Sequence, residues 1–184
     1  MARIPFPAYD DLTMEQRRVY DAVVRTRGKL HGPLRAALHN PELADKWQQL
    51  GELLRYRTRL PPRLSELAIL VTARHFNCQF EWYAHEPPAL AGGLAPGVIE
   101  ALRHARRPDF VNHDEVLIYD YSTELQQTHF VSEPIYQAVL AHFGVQSVVE
   151  LTALLGYYGM VAMTLNAHQI PLPADAIEPL PDVE

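Results

Sequence analysis

The chain has 184 residues, 48% of them hydrophobic and 21% charged, with a formal net charge of −6. That length suits one domain, 1–184, with a substantial core, since a chain of this size buries roughly 70% of its unfolded surface. The acidic balance argues against phosphate-driven nucleic-acid binding, which needs clustered Lys and Arg, and no apolar run approaches the roughly 20 residues of a membrane span. The opening "MARIPFPAYDDLT" lacks the apolar stretch of a secretory signal. A cytoplasmic protein with no nucleic-acid and no membrane partner is therefore expected.

The predicted elements follow the cap signals along the chain. Thr13 with Gln16 has the spacing of a capping box and opens a helix that Gly28 can close. Asn40 before Pro41 opens a second, running to about Arg57. Pro61 and Pro62 start a third through "RLSELAILVTARHF", and Asn77 is a plausible cap for a fourth. Pro87 and Pro88 should end or kink that helix just after His85, because proline lacks the backbone donor and clashes with the preceding turn. A short helix from Pro96 to about Arg106 follows.

In the second half, Asn112 with Glu115 opens "HDEVLIYDYSTELQQTHF", Ser132 opens "EPIYQAVLAHF", and Ser147 with Glu150 opens the long apolar "VVELTALLGYYGMVAMTLNAH". No strand pairs joined by tight glycine turns are visible. The fold class is all-α, about eight helices, with an extended proline-rich tail from about Ile170. The last helix is apolar on most faces, and Gly156 and Gly159 permit close helix approach; both features suit a homo-oligomer. The basic clusters "RYRTR" at 55 to 59 and "RHARR" at 103 to 107 read as helix C-terminal ends, where cations complement the dipole.

Candidate chemistry concentrates in "NCQFEWYAHEPPAL", 77 to 90. A single cysteine excludes an intrachain disulfide and a multi-cysteine zinc site. On a helix turning about 100° per residue, Cys78, Glu81 and His85 fall near 0°, 300° and 340°, with Trp82 flanking them near 40°. Glu66, one helix earlier, lies amid Leu67, Ile69 and Leu70, where a carboxylate needs a partner. His85 is the nearest by helix-hairpin geometry, and Arg63 or Arg74 are the alternatives. Two carboxylates and one His also form a conceivable ligand set, but the Glu-x-x-His pairs of di-iron bundles are absent. The other histidines, His31 among them, show no ligand spacing. Neither a metal nor a cofactor is therefore called for. Tyr157 and Tyr158 are expected in the core, with one hydroxyl reaching a pocket.

Counted from Glu66, Cys78 comes 12 positions later, Glu81 15 and His85 19. This spacing resembles that of the carboxymuconolactone decarboxylase and alkyl hydroperoxidase D superfamily. The likeness extends to "HEPPALAGGL", to "GPLRAALHNPELA" and to "YYGMVAMTLNAHQIPLP". It implies an all-helical AhpD-like bundle assembling as a trimer or hexamer. In the peroxidase members the four positions carry Glu, Cys, Cys and His. Here Glu81 replaces the second cysteine, and "FEWYAH" is similar to the decarboxylase-like members.

The resemblance implies acid–base chemistry, a decarboxylation or related lyase reaction, on a small carboxylated or lactone-like substrate. His85 would be the proton donor, Glu66 and Glu81 would set its charge and position, and Trp82, Tyr157 and Tyr158 would contact substrate. The alternatives are a thiol peroxidase using Cys78 with an external thiol, and a non-catalytic oligomeric binding protein.

Overall fold

The computed structural model describes residues 2–30 and 32–182, so His31 lies outside the described residues. All regular structure there is helical. A 3-10 turn, Tyr9–Asp11, leads into α1, Met14–Arg27. The capping box forms as expected, with Gln16 N donating to Thr13 Oγ1 at 3.3 Å and Thr13 N donating to Gln16 Oε1 at 2.9 Å. Gly28 closes the helix at φ +77°, a conformation that costs glycine little. A five-residue helix, α2 (Pro33–Ala37), follows; it is too short for hydrophobic periodicity to reveal.

Helix α3, Pro41–Tyr56, starts on Asn40, whose Oδ1 accepts from Leu43 N at 3.1 Å. Helix α4, Pro62–His75, is the centre of the molecule. Every side chain from Leu64 to Arg74 is buried, and α5, α7 and α8 all pack on it. A helix apolar on all faces gains most by being surrounded, which is why α4 lies at the middle.

Helix α5, Gln79–Ala91, departs from expectation at both ends. Asn77 sits in the left-handed region at φ +49°, and Cys78 takes the N-cap position. The wheel that placed Cys78, Glu81 and His85 on one helical face therefore counts Cys78 wrongly, since it precedes the first helical residue. Pro87 and Pro88 do not end the helix, which continues through Ala91 and closes with Gly92 N donating to Pro88 O at 2.8 Å. An interior proline costs about 3 kcal/mol. Tight packing on α4 offsets it: Ala89 is fully buried, and a Cβ on Gly92 would lie 3.0 Å from Arg63 N.

Helix α6, Pro96–Arg103, ends ahead of the expected Arg106, because Ala105 turns to φ +52°. In α7, His113–Thr128, the predicted capping box does not form. Glu115 is engaged by Arg63 and by the Asn112 amide at 3.1 Å, leaving the Asn112 side chain without a capping bond. The last two predicted helices are both present and together make up α8 (Glu133–Ala167), within which the chain leaves helical geometry at Gly144, φ 80° and ψ 164°. The break thus falls at the glycine, with Ser147 inside the continuing helix.

Tyr121 and Thr152 hydroxyls meet at 2.7 Å between α7 and α8, and Gln126 donates to Thr72 at 2.8 Å between α7 and α4. The extended tail crosses back over the bundle. Leu180 is buried, and its backbone exchanges two 2.8 Å hydrogen bonds with the Gln79 side chain. Helix α8 is also long and apolar enough to cross a membrane, with a mean hydropathy of 1.6 over an 18-residue stretch, by length and composition alone. Glycines, tyrosines and threonines dilute its longest apolar run, which hides this property from a search for unbroken apolar stretches. Its outward residues Val145, Val149 and Met163 are exposed.

Candidate active site

Glu66 in α4 and His85 in α5 meet where the two helices pack. Glu66 Oε2 lies 2.6 Å from His85 Nδ1, and both side chains are 9% exposed. With Nδ1–H donating to the carboxylate, the imidazole is fixed in one tautomer and orientation, and Nε2 is left for another partner. The ring also stands edge-on to Tyr158, with centroids 4.9 Å apart. The expected pairing of Glu66 is thus the one found. The alternatives are engaged elsewhere: Arg63 binds Asp114 and Glu115, and Arg74 donates to Pro181 O at 3.1 Å.

His85 lines a cavity of about 390 Å³ together with Glu81, Arg55, Phe80, Tyr157 and Tyr158. Glu81 is 1% exposed and neither carboxyl oxygen has a hydrogen-bond partner. Burial pushes its carboxyl well above the usual carboxylate range, which favours the neutral acid, a form able both to donate and to accept a hydrogen bond. It makes no hydrogen bond to His85, so orienting the imidazole falls to Glu66. Burial likewise raises the Tyr158 hydroxyl well above its ordinary value, keeping it a phenol.

Cys78 is buried and is not among the cavity-lining residues. Burial, and secondarily the neighbouring Glu81, push its thiol up to about 12, against the pull of the Glu81 and Phe80 N–H groups. The thiolate needed for nucleophilic attack is therefore scarce at neutral pH. Trp82 is fully buried, donates from Nε1 to Glu86 at 2.9 Å and lies beneath the Arg103 guanidinium. The cavity wall includes Tyr157 and Tyr158 but not Trp82. No group of three His, Cys, Asp or Glu among the described residues converges closely enough to hold a metal ion.

Arg55 escapes sequence reasoning. It does stand in the last turn of α3, as the dipole argument for the "RYRTR" cluster holds, but its side chain is only 23% exposed and turns toward the cavity. Its Nη2 lies 3.8 Å from Glu66 Oε1, and its Nε is buried without a partner. The only available signal is a cation near a helix end, and several arginines share it. Phe80 escapes it too. Its ring presses against Gly32, where an added Cβ would come within 2.9 Å, so the close approach of α5 to the chain before α2 requires glycine.

The bundle is the all-helical AhpD-like fold. It is similar over 95% of its length, at TM-score 0.76 and 16% identity, to an uncharacterized peroxidase-related protein with an alkylhydroperoxidase AhpD core from Ralstonia eutropha JMP134, 93% of which is covered. The debrominase Bmp8, in complex with 2,3,4-tribromopyrrole, superposes at TM-score 0.74 and 13% identity over 95% of this chain and 92% of its own. A protein of unknown function from Agrobacterium tumefaciens, described as a putative antioxidant defence protein AhpD, gives TM-score 0.66 and 16% identity over 79% of this chain and 100% of its own. No protein-family model matches the chain, nor does any curated protein.

Proposed function

We propose that the protein is an acid–base enzyme, a carbon–carbon lyase acting on a small carboxylated or lactone-like molecule in the cavity beside His85. The observation that carries this reading is the buried 2.6 Å Glu66–His85 pair, set on a cavity wall that also bears the fully buried, unpartnered Glu81. In a decarboxylation the bond to the departing carboxylate breaks, carbon dioxide leaves, and the electron pair passes into a dienolate. His85 then donates a proton from Nε2 to carbon and regains one from solvent. Glu66 holds the ring and balances its charge, while the neutral Glu81 carboxyl donates a hydrogen bond to the developing oxyanion. Atoms and electrons balance without an oxidant. Purified protein given 4-carboxymuconolactone is expected to release carbon dioxide, with at least about a hundredfold loss in His85→Gln; equal rates would exclude His85 as the proton donor.

A thiol-peroxidase reading has support in the names of the neighbouring proteins and in the position of Cys78 at the start of α5. Its weakness is physical. The thiol is buried and raised to about 12, and a sulfenic acid formed there would need a second thiol, where Glu81 stands. The expected homo-oligomer, a trimer or hexamer, is likewise proposed. Its support is the set of exposed apolar side chains Val145, Val149 and Met163 on α8 and Leu50 and Leu53 on α3. Light scattering of the eluting protein tests it, and a monomer at micromolar concentration would overturn it.

A further inference from the structure

We infer that Arg55 is the residue that selects substrate, binding an organic carboxylate through its guanidinium and placing the rest of the molecule against His85. This rests on the acid–base reading of the site. The first support is unfinished hydrogen bonding. A guanidinium carries five N–H donors in a rigid plane. In Arg55 the Nε is buried with no partner, and Nη2 reaches its nearest carboxylate oxygen, Glu66 Oε1, only at 3.8 Å, beyond a good hydrogen bond. Glu66 is committed through its other oxygen to His85. A buried cationic donor left unpaired costs free energy that a bound anion would recover.

The second support is preorganisation. The Arg55 guanidinium lies 5.1 Å from the centroid of the Tyr56 ring, a stacking that restrains its plane before anything binds. A carboxylate arriving in that plane meets the fork with little side-chain entropy left to lose.

The third support is the charge that faces the cavity from each packed element. Helix α3 presents Arg55, and Lys29 lies at the rim beyond α1. Helix α5 presents His85 and Glu81, the latter fully desolvated with both oxygens unpartnered, and α8 presents the phenols Tyr157 and Tyr158. Helix α4 contributes Glu66 behind His85. Burial favours the neutral form of Glu81, so among the described residues here Glu66 is the carboxylate set against the two basic side chains Arg55 and Lys29. The balance favours an anion, and about 390 Å³ accepts one ring-sized molecule, roughly a dozen water volumes.

Titration calorimetry with benzoate and its uncharged isostere benzamide tests this on the whole chain. The native protein is expected to bind benzoate about tenfold or more tightly than benzamide, as a charge-assisted pair implies. Arg55→Met should abolish the difference by weakening benzoate alone. Arg55→Lys, which keeps the charge but not the fork, should shrink it, and serves if the Met variant does not fold. His85→Gln should keep the difference while losing turnover. Undiminished turnover in His85→Gln would defeat the acid–base reading and leave the ligand difference standing. Equal binding of the two ligands to native protein, no binding of either, or a difference that persists in Arg55→Met would overturn the role of Arg55.

Discussion

Two buried charge clusters share α4, and they are built to opposite rules. At its start, Arg63 holds Asp114 and Glu115, and Glu115, only 2% exposed, also accepts from Asn112. One turn further along, Glu66 holds His85, but the groups around that pair are left incomplete: Arg55 Nε and both Glu81 oxygens have no partner. A fully satisfied cluster stabilises a helix packing. An unsatisfied one weakens the fold locally and is retained where a ligand completes it. Burial alone therefore does not mark the site, since Glu115 and Glu81 are equally hidden; the missing partners do.

The largest effects should separate the clusters by what is lost. His85→Gln and Glu66→Gln should each reduce turnover about 10² to 10⁴-fold, with the circular dichroism spectrum retained, as expected for removal of a general acid or its orienting group. Arg63→Met should do the reverse. It leaves Glu115 buried without its cation and should cost about 3 kcal/mol in urea unfolding, with activity per folded molecule preserved. Substantial loss of turnover per folded molecule in Arg63→Met would erase the distinction.

Glu81→Gln sharpens the comparison through pH. Burial raises the folded-state carboxyl well above its ordinary 4.5, so the folded protein binds a proton that the unfolded chain releases. The contribution is favourable below the unfolded value and is lost as pH rises from there toward the folded value, at about 1.4 kcal/mol per pH unit. Glu81→Gln removes this loss. It should be more stable than the native protein from about pH 6 upward and similar at about pH 4, while turnover falls. Melting temperatures across that range check the sign, and a variant whose advantage over the native protein shrinks as pH rises would contradict it. Smallest is Cys78→Ala, which trims a buried side chain and should cost about 1 kcal/mol with most activity kept. The native thiol should correspondingly alkylate slowly at neutral pH, because burial pushes it up to about 12.

Much of the fold and the heart of the site are legible in the sequence itself. The Thr13 and Asn40 caps and the Glu66–His85 pairing follow from spacing and from the cost of a carboxylate among Leu67, Ile69 and Leu70. Where sequence rules fail, packing overrides a local preference. The proline pair stays helical because α5 is pressed onto α4, and the Asn112 cap is lost because Arg63 recruits Glu115 from across the bundle. Arg55 is hidden because periodicity places a residue on a helix but does not say that a long side chain bends inward from its last turn.

The most direct test compares carbon dioxide release from 4-carboxymuconolactone by native protein, Cys78→Ala and His85→Gln at matched folded concentration. Cys78→Ala should retain most of the native rate, and His85→Gln should fall by at least about a hundredfold. A dead Cys78→Ala beside an active His85→Gln would mean that the thiol carries the reaction and that the Glu66–His85 pair is structural.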